Sequence, residues 1–213
     1  LAVTCSEAGG ARVVTQHLLE TRNRNKLGEL ARLLEQVFPD IDVLGLDDLA
    51  PFEELPETEA TFAGNALLKA RTACAATGLI SVADDSGLCV DALNGMPGVL
   101  SARWSGGHGD DVANLDLVLA QIADVPGNRR GAHCACAAAA VYPDGLELVH
   151  EGLMRGQLVH APVGTNGFGY DPIFVAEGHD VTNGELEPAA KDAISHRGQA
   201  LRSLVVEIAR RGL

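Results

Sequence analysis

The stretch Ser81-Val82-Ala83-Asp84-Asp85-Ser86-Gly87-Leu88 sets two adjacent carboxylates, a hydroxyl and a glycine directly after an apolar run. If that run is a buried strand, the acidic pair lies at its carboxyl end, where open α/β sheets bind ligands. Asp-Ser-Gly is equally a good turn, so the pair needs partners before it can be read as chemistry. Three other polar clusters sit at the ends of predicted elements: Thr21/Asn23/Lys26, Glu57 with Asn65 and Lys69, and Lys191/His196/Arg197. Together the four clusters hold carboxylates for a hard divalent cation and cations for a polyphosphate. Mg²⁺ is usually held by one or two carboxylates plus substrate phosphates, and Glu57 with one Asp of the pair would suffice. Phe168-Gly169-Tyr170-Asp171 offers aromatic faces on a bendable backbone, which suits a flat base. The residues therefore point to a metal-dependent enzyme acting on a nucleotide phosphoanhydride.

These groups need elements to position them. Val13 to Leu19 reads as a first strand, followed by the polar loop Thr21-Arg22-Asn23-Arg24-Asn25-Lys26 and a helix through Leu27, Leu30, Leu34 and Val37. Asn23 or Asn25 would cap that helix, and a strand–loop–helix start favours an anion. A short strand over Ile41 to Leu44 lies in an acidic connector. Thr61 is a natural N-cap for a helix over Phe62 to Thr77, and the four-residue spacing puts Asn65 and Lys69 on one face. The strand carrying the Asp pair follows, with Leu88 to Leu93 beyond it, then a helix over Asp111 to Ala123. Ala132 to Tyr142, Leu146 to His150 and Leu153 to Val159 read as an antiparallel meander, and Ile173 to Val175 as a further strand. A helix over Glu187 to Ile194, a break at Ser195-His196-Arg197-Gly198 and a last helix over Gln199 to Arg211 complete the chain. No internal repeat occurs. The expected class is α/β: a long mixed sheet flanked by helices, in two lobes with the active cleft between them. Residues 1–12 are expected to be a disordered tail before one two-lobed domain over 13–213.

Composition narrows the partners. The 213 residues are 46% hydrophobic and 21% charged, ordinary for a globular chain of this length. A net charge of −13 argues against a nucleic-acid or anionic-membrane partner, since either requires a basic face. An anionic small substrate remains compatible, because salt screens distant charges beyond roughly 8–10 Å. No apolar run approaches the ~20 residues of a membrane span. Five cysteines (Cys5, Cys74, Cys89, Cys134, Cys136) form no Cys-x-x-Cys unit and read as reduced core thiols of a cytoplasmic protein.

Several familiar signatures are missing. There is no phosphate-binding Gly-x-x-x-x-Gly-Lys-Ser/Thr, no His-Glu-x-x-His and no Gly-x-Ser-x-Gly, and the spacing of Gly164, Gly167 and Gly169 does not fit a dinucleotide fingerprint. A second Asp-Thr/Ser-Gly, which an aspartic-protease dyad would need, is lacking as well. Nothing specific supports a serine hydrolase built on Ser86 or Ser101 with His196.

Six ordered motifs then share one likeness: Thr21-x-Asn23-x-x-Lys26, Glu57-Thr58-x-x-Thr61-Phe62-x-x-Asn65-Ala66-x-x-Lys69-Ala70, Ala83-Asp84-Asp85-Ser86-Gly87-Leu88, Gly95-x-Pro97-Gly98-x-x-Ser101-Ala102-Arg103, Gly167-Phe168-Gly169-Tyr170-Asp171-Pro172 and Ser195-His196-Arg197-Gly198. From about Val13 onward the chain resembles the inosine triphosphate pyrophosphatase family, house-cleaning enzymes that act on non-canonical purine nucleoside triphosphates. The resemblance implies hydrolysis of ITP, dITP and XTP to the monophosphate and pyrophosphate, with Mg²⁺, in a homodimer. It implies Glu57 and Asp85 as metal ligands, with Asp85 activating water and Asp84 assisting. It assigns Thr21, Arg22, Asn23, Arg24, Asn25, Lys26, Lys69, Ser86 and Lys191 to phosphates and sugar. Phe168, Gly169, Tyr170, Asp171, His196 and Arg197 frame the base. The segment Ser101 to Gly106, with Arg103 and Trp104, is read as packing or interface. Glu20, Arg22 and Glu59 depart from the family pattern, and a chain of this fold that binds nucleotide without hydrolysing it is the alternative reading.

Overall fold

The computed structural model describes residues 16–19, 42–48, 52, 53 and 55–211. The expected tail, the loop Thr21–Lys26 and the helix after it lie outside the described residues, as do Glu20 and Cys5. Strands β1 (Gln16–Leu19), β2 (Asp42–Gly45), β3 (Ile80–Val90), β4 (Gly131–Val141), β5 (Glu147–Leu158) and β6 (Phe174–Ala176) form one sheet in the order β2-β1-β3-β4-β5-β6. β1 runs parallel to β2 and β3, and every pairing from β3 to β6 is antiparallel. The sheet is therefore mixed and flanked by helices, as the sequence implies.

Helix α1 (Phe62–Thr77) starts where its capping residue dictates: the Thr61 hydroxyl accepts from the Gly64 amide at 3.0 Å. It ends at Gly78, which takes the left-handed conformation that a residue without Cβ adopts freely. Its small buried residues Ala66, Ala70 and Cys74 pack on Ala83, Ala137 and Ala139. Adjacent residues of a strand face opposite ways, so Val82, Cys136, Ala138 and Ala140 turn to the other side. There they pack on Ala200, Leu201, Leu204, Val205 and Ile208 of α4 (His196–Arg210). From Cys136 to Val141 β4 is buried on both faces, and there it carries the run Ala137–Ala140, whereas its first half alternates between buried and half-buried positions. Helices α2 (Asp111–Gln121) and α3 (Pro188–Ile194) complete the set. Leu115 and Val118 of α2 close a further core with Leu88, Ile122, Ile173 and Phe174. Cys74, Cys89, Cys134 and Cys136 are buried, in line with their reading as core residues.

Three boundaries differ from expectation, each for a tertiary reason. β3 does not stop at the Asp pair but runs on to Val90, because β4 pairs with it throughout, Asp84 opposite Ala138 and Asp85 opposite Ala137. Gly87 is thus a strand residue and not a turn: a Cβ there would press on Ser101 Oγ and lie 3.0 Å from the Phe62 ring. The two strands expected at Leu146–His150 and Leu153–Val159 are one, β5, and Gly152 between them is the place where α4 touches the sheet. The Ser195–Gly198 break is the start of α4, with Ser195 Oγ accepting from the Gly198 amide at 2.9 Å.

A Cβ on Gly152 would overlap the His196 carbonyl oxygen and lie 2.8 Å from the Ala200 nitrogen. Gly152→Ala must therefore push the first turn of α4 off the sheet, at a cost of about 1–3 kcal/mol for overpacking. Thermal denaturation checks this, with a clearly lower Tm expected; a Tm equal to the parent's would contradict the contact.

Candidate active site

Because β3 continues through the acidic pair, Asp84 and Asp85 point to opposite faces of the sheet. Asp85 faces α1. Asn65 donates from Nδ2 to Asp85 Oδ2 at 3.0 Å, and Lys69 Nζ lies 3.4 Å from Asp85 Oδ1. The same ammonium donates to Glu57 Oε1 at 2.8 Å, so one cation joins two carboxylates from distant parts of the chain. Arg103 grips Glu57 from the other side, Nη1 to Oε2 at 2.9 Å and Nη2 to the Glu57 backbone carbonyl at 3.0 Å. Asn65 also accepts the Glu59 amide at 2.9 Å, which fixes the loop that carries Glu57. The Glu59 side chain itself is exposed and adds no charge inside this cluster.

The two carboxylates are tuned differently. Burial pushes Asp85 above the ordinary carboxylate value; the Glu57 charge adds to this, while Lys69 and Asn65 oppose it. Burial would also raise Glu57, but contacts with Lys69 and Arg103 hold it below its ordinary value. Burial works against the Lys69 charge, yet Asp85 and Glu57, with Asp84 behind them, raise its pKa. Environments that separate two carboxyl pKa values separate their roles, with the higher one suited to taking up a proton.

These residues fit a hard divalent ion. Two carboxylates already converge on one positive charge, and oxygen donors in that number, completed by substrate phosphates, are what Mg²⁺ accepts. Among the described residues no group of three or more His, Cys, Asp and Glu side chains could hold a metal by itself. The other ligands would come from substrate and water.

On the opposite face Asp84, buried to 5% exposure, accepts from Arg197 Nη2 at 3.2 Å. The structure thus places Asp84 with the first turn of α4 and apart from the Glu57–Asp85 pair. Ser86, two residues on and on this same face, opens into a cavity of about 180 Å³ that also receives Phe168, Lys191, His196 and Arg197. Its outer wall is the Gly167–Asp171 loop. Buried Asp171 holds that loop together, accepting from the Phe168 amide at 2.8 Å, from Asn183 Nδ2 at 3.3 Å and from Lys191. Lys191 also lies 4.6 Å from the centre of the Phe168 ring, and that ring is 61% exposed at the cavity mouth. Gly169 donates its amide to Asp111 at 2.9 Å, and the Tyr170 hydroxyl donates to the Ser101 carbonyl at 2.9 Å. A roomier groove of about 440 Å³ beside His133, Arg155 and His179 contains none of the predicted site residues; size alone does not mark the site.

The structure brings together Glu57, Lys69 and Asp85, and separately Ser86, Phe168–Asp171, Lys191, His196 and Arg197, with β3 joining the two groups. Thr21, Arg22, Asn23, Arg24, Asn25 and Lys26 lie outside the described residues. Four further residues belong to the site. Arg103 lies in a segment whose sequence reads as packing or interface, although Ser101-Ala102-Arg103 is part of a matching motif. Asn65 was grouped with Lys69 without a role of its own. Asp111 and Asn183 carried no local signal. Ser101 is not a nucleophile: its hydroxyl is engaged by the Leu88 amide at 2.9 Å and the Gly98 carbonyl at 2.6 Å.

A mixed α/β sheet with a lysine-bridged acidic pair on one face and a base-sized cavity on the other defines a nucleotide-handling protein of the α/β class. The particular family follows from comparison: the Ham1 family model matches residues 17–207, and the chain belongs to that family. It is 58% identical over 193 residues to a dITP/XTP pyrophosphatase of Nocardia farcinica, spanning 90% of this chain and 94% of the relative. The crystal structure of a nucleoside-triphosphatase, or dITP/XTP pyrophosphatase, from Mycobacterium abscessus is 55% identical. It superposes with a TM-score of 0.77 over 89% of this chain and 98% of that one. A HAM1 protein from Coxiella burnetii, 37% identical, superposes with a TM-score of 0.85 over 92% of this chain and all of its own.

A carboxyl whose folded-state pKa is raised costs stability when ionised; that cost is present above the folded pKa and vanishes below the ordinary Asp value. Asp85→Asn keeps the shape and can still accept from Asn65, while Lys69 retains Glu57. The variant is expected to raise Tm by a few degrees at pH 7, with the gain shrinking as pH falls towards 4. A lower Tm at pH 7 would contradict the buried, charge-strained state of Asp85.

Proposed function

We propose that the chain is a Mg²⁺-dependent pyrophosphatase of non-canonical purine nucleoside triphosphates, converting ITP, dITP and XTP to the monophosphate and pyrophosphate. The observation that carries this reading is the Lys69 ammonium shared by Glu57 and Asp85, one residue along β3 from Ser86 and its cavity. The names of the close relatives point the same way.

In this reading Glu57 and Asp85 would hold the ion, which would supply charge neutralisation at the phosphates. Asp85 orients the attacking water and takes its proton at the carboxylate. Lys69 turns from the carboxylates to the negative charge that builds on the leaving pyrophosphate. Asn65 keeps Asp85 in place from behind. The loop Thr21, Arg22, Asn23, Arg24, Asn25 and Lys26 supplies further phosphate contacts, and Ser86 and Lys191 contact the sugar and phosphates. Phe168, Gly169, Tyr170 and Asp171 cover the base, while His196 and Arg197 offer donors to a 6-oxo group. The Arg197 guanidinium is anchored on Asp84, so Asp84 aims the base contact from inside the sheet. Adenine presents an amino group at that position, and a site built for an acceptor rejects a ligand lacking one by ~10⁴–10⁵. A homodimer and a cytoplasmic location belong to the same proposal.

The test is a panel of nucleoside triphosphates with Mg²⁺, read as pyrophosphate release. Pyrophosphate from ITP, dITP and XTP is expected, with ATP turned over about 10⁴-fold less well, and activity should vanish with EDTA. Asp85→Asn should lower kcat by about 10²–10⁴ for loss of a general base. Orthophosphate as the first product, or full activity in Asp85→Asn, would contradict the reading.

A further inference from the structure

The 3-10 turn Gly98–Arg103 touches both halves of the site. At its end Arg103 clasps the Glu57 carboxylate and backbone carbonyl. Two residues earlier, the Ser101 carbonyl accepts the hydroxyl of Tyr170 from the loop that walls the base cavity. The turn is held rigidly in between. Ser101 Oγ is fixed on the backbone of β3 at Leu88, in the space left by the missing Cβ of Gly87. Asn114 of α2 accepts the Ser105 amide at 2.7 Å and donates to the Ala102 carbonyl at 3.3 Å. One helical turn before it, Asp111 accepts the Gly169 amide. The base loop and the turn thus share two supports, Tyr170–Ser101 and the first turn of α2.

We propose that Tyr170 and Arg103 are positioning residues that couple the base loop to the Glu57 carboxylate through the Gly98–Arg103 turn. Seating of the correct base on Phe168–Asp171 would then be felt at Glu57, and a loop left open by the wrong base would leave Glu57 less firmly held. Arg103 suits this task because its planar fork engages carboxylate and carbonyl together in one fixed geometry, which the rotatable ammonium of a lysine does not impose. The Tyr170 ring can contact a base without its hydroxyl, so Tyr170→Phe removes the coupling bond alone.

Two readouts test this, and only the kinetic one rests on the pyrophosphatase reading. Hydrogen exchange is measured on the whole chain without metal or nucleotide, in the parent, Tyr170→Phe and Arg103→Lys. In both variants the amides of residues 57–61 are expected to exchange about fivefold faster, the scale of one lost hydrogen bond. Tyr170 touches none of those residues, so a purely local role would change only residues 98–104 and 167–171, and that pattern would overturn the coupling. In the ITP assay, both variants should lower kcat about five- to tenfold and raise the Mg²⁺ concentration for half-maximal rate, with KM for nucleotide within about twofold. The double variant should cost no more than the worse single one. A Tyr170→Phe variant that raises KM alone would overturn the proposal. If the parent released no pyrophosphate, the functional reading would fall while the exchange result still decided the coupling.

Discussion

A single ammonium group, Lys69 Nζ, is shared by Glu57 and Asp85, and the candidate site depends on that arrangement. Two carboxylates brought together in a partly buried place repel each other and resist ionisation. Lys69 offsets that repulsion, Arg103 adds a second cation on Glu57 alone, and the outcome is an unequal pair: Glu57 readily ionised, Asp85 held back by burial. The same cluster that keeps this acidic centre together is poised to release it. Glu57 and Asp85 are the residues that would hold a divalent ion, which would supply charge neutralisation, and Lys69 could then turn to the substrate's phosphates.

Close approach is what makes the geometry possible. β4 presents alanines on both faces, so α1 and α4 both come near the sheet and deliver Lys69 to one side and Arg197 to the other. Gly87 admits the Gly98–Arg103 turn, and with it the Arg103 clasp; Gly152 admits the start of α4. At each place a methyl group would move a functional side chain. Small residues act here through what they leave empty, and the site's polar groups occupy positions that a bulkier sheet could not offer.

Much of this was legible in the chain. The α1 helix with its Thr61 cap, the shared face of Asn65 and Lys69, and the alternation of strands and helices follow from local spacing and capping chemistry. The Asp-Ser-Gly signal misled, since it marks a turn in local terms while β4 holds the strand extended through it. Once β3 is known to continue, the separation of Asp84 from Asp85 onto two faces is automatic; without that knowledge the two carboxylates look equivalent. The Arg103–Glu57 clasp joins residues 46 apart, and no local pattern reports such a distance. Buried Arg130 shows the same limit. It donates to the carbonyls of Ile122, Leu158 and Val159 inside the fold, partners that no local pattern names.

The most direct measurement is a crystal structure with Mg²⁺ and a non-hydrolysable ITP analogue. The Glu57 and Asp85 oxygens should lie about 2.0–2.1 Å from the ion, the usual Mg²⁺ distance, with Lys69 turned to the phosphates and the base beside Phe168 and Arg197. An ion bound elsewhere, with Lys69 still bridging Glu57 and Asp85, would contradict the central role of that shared ammonium.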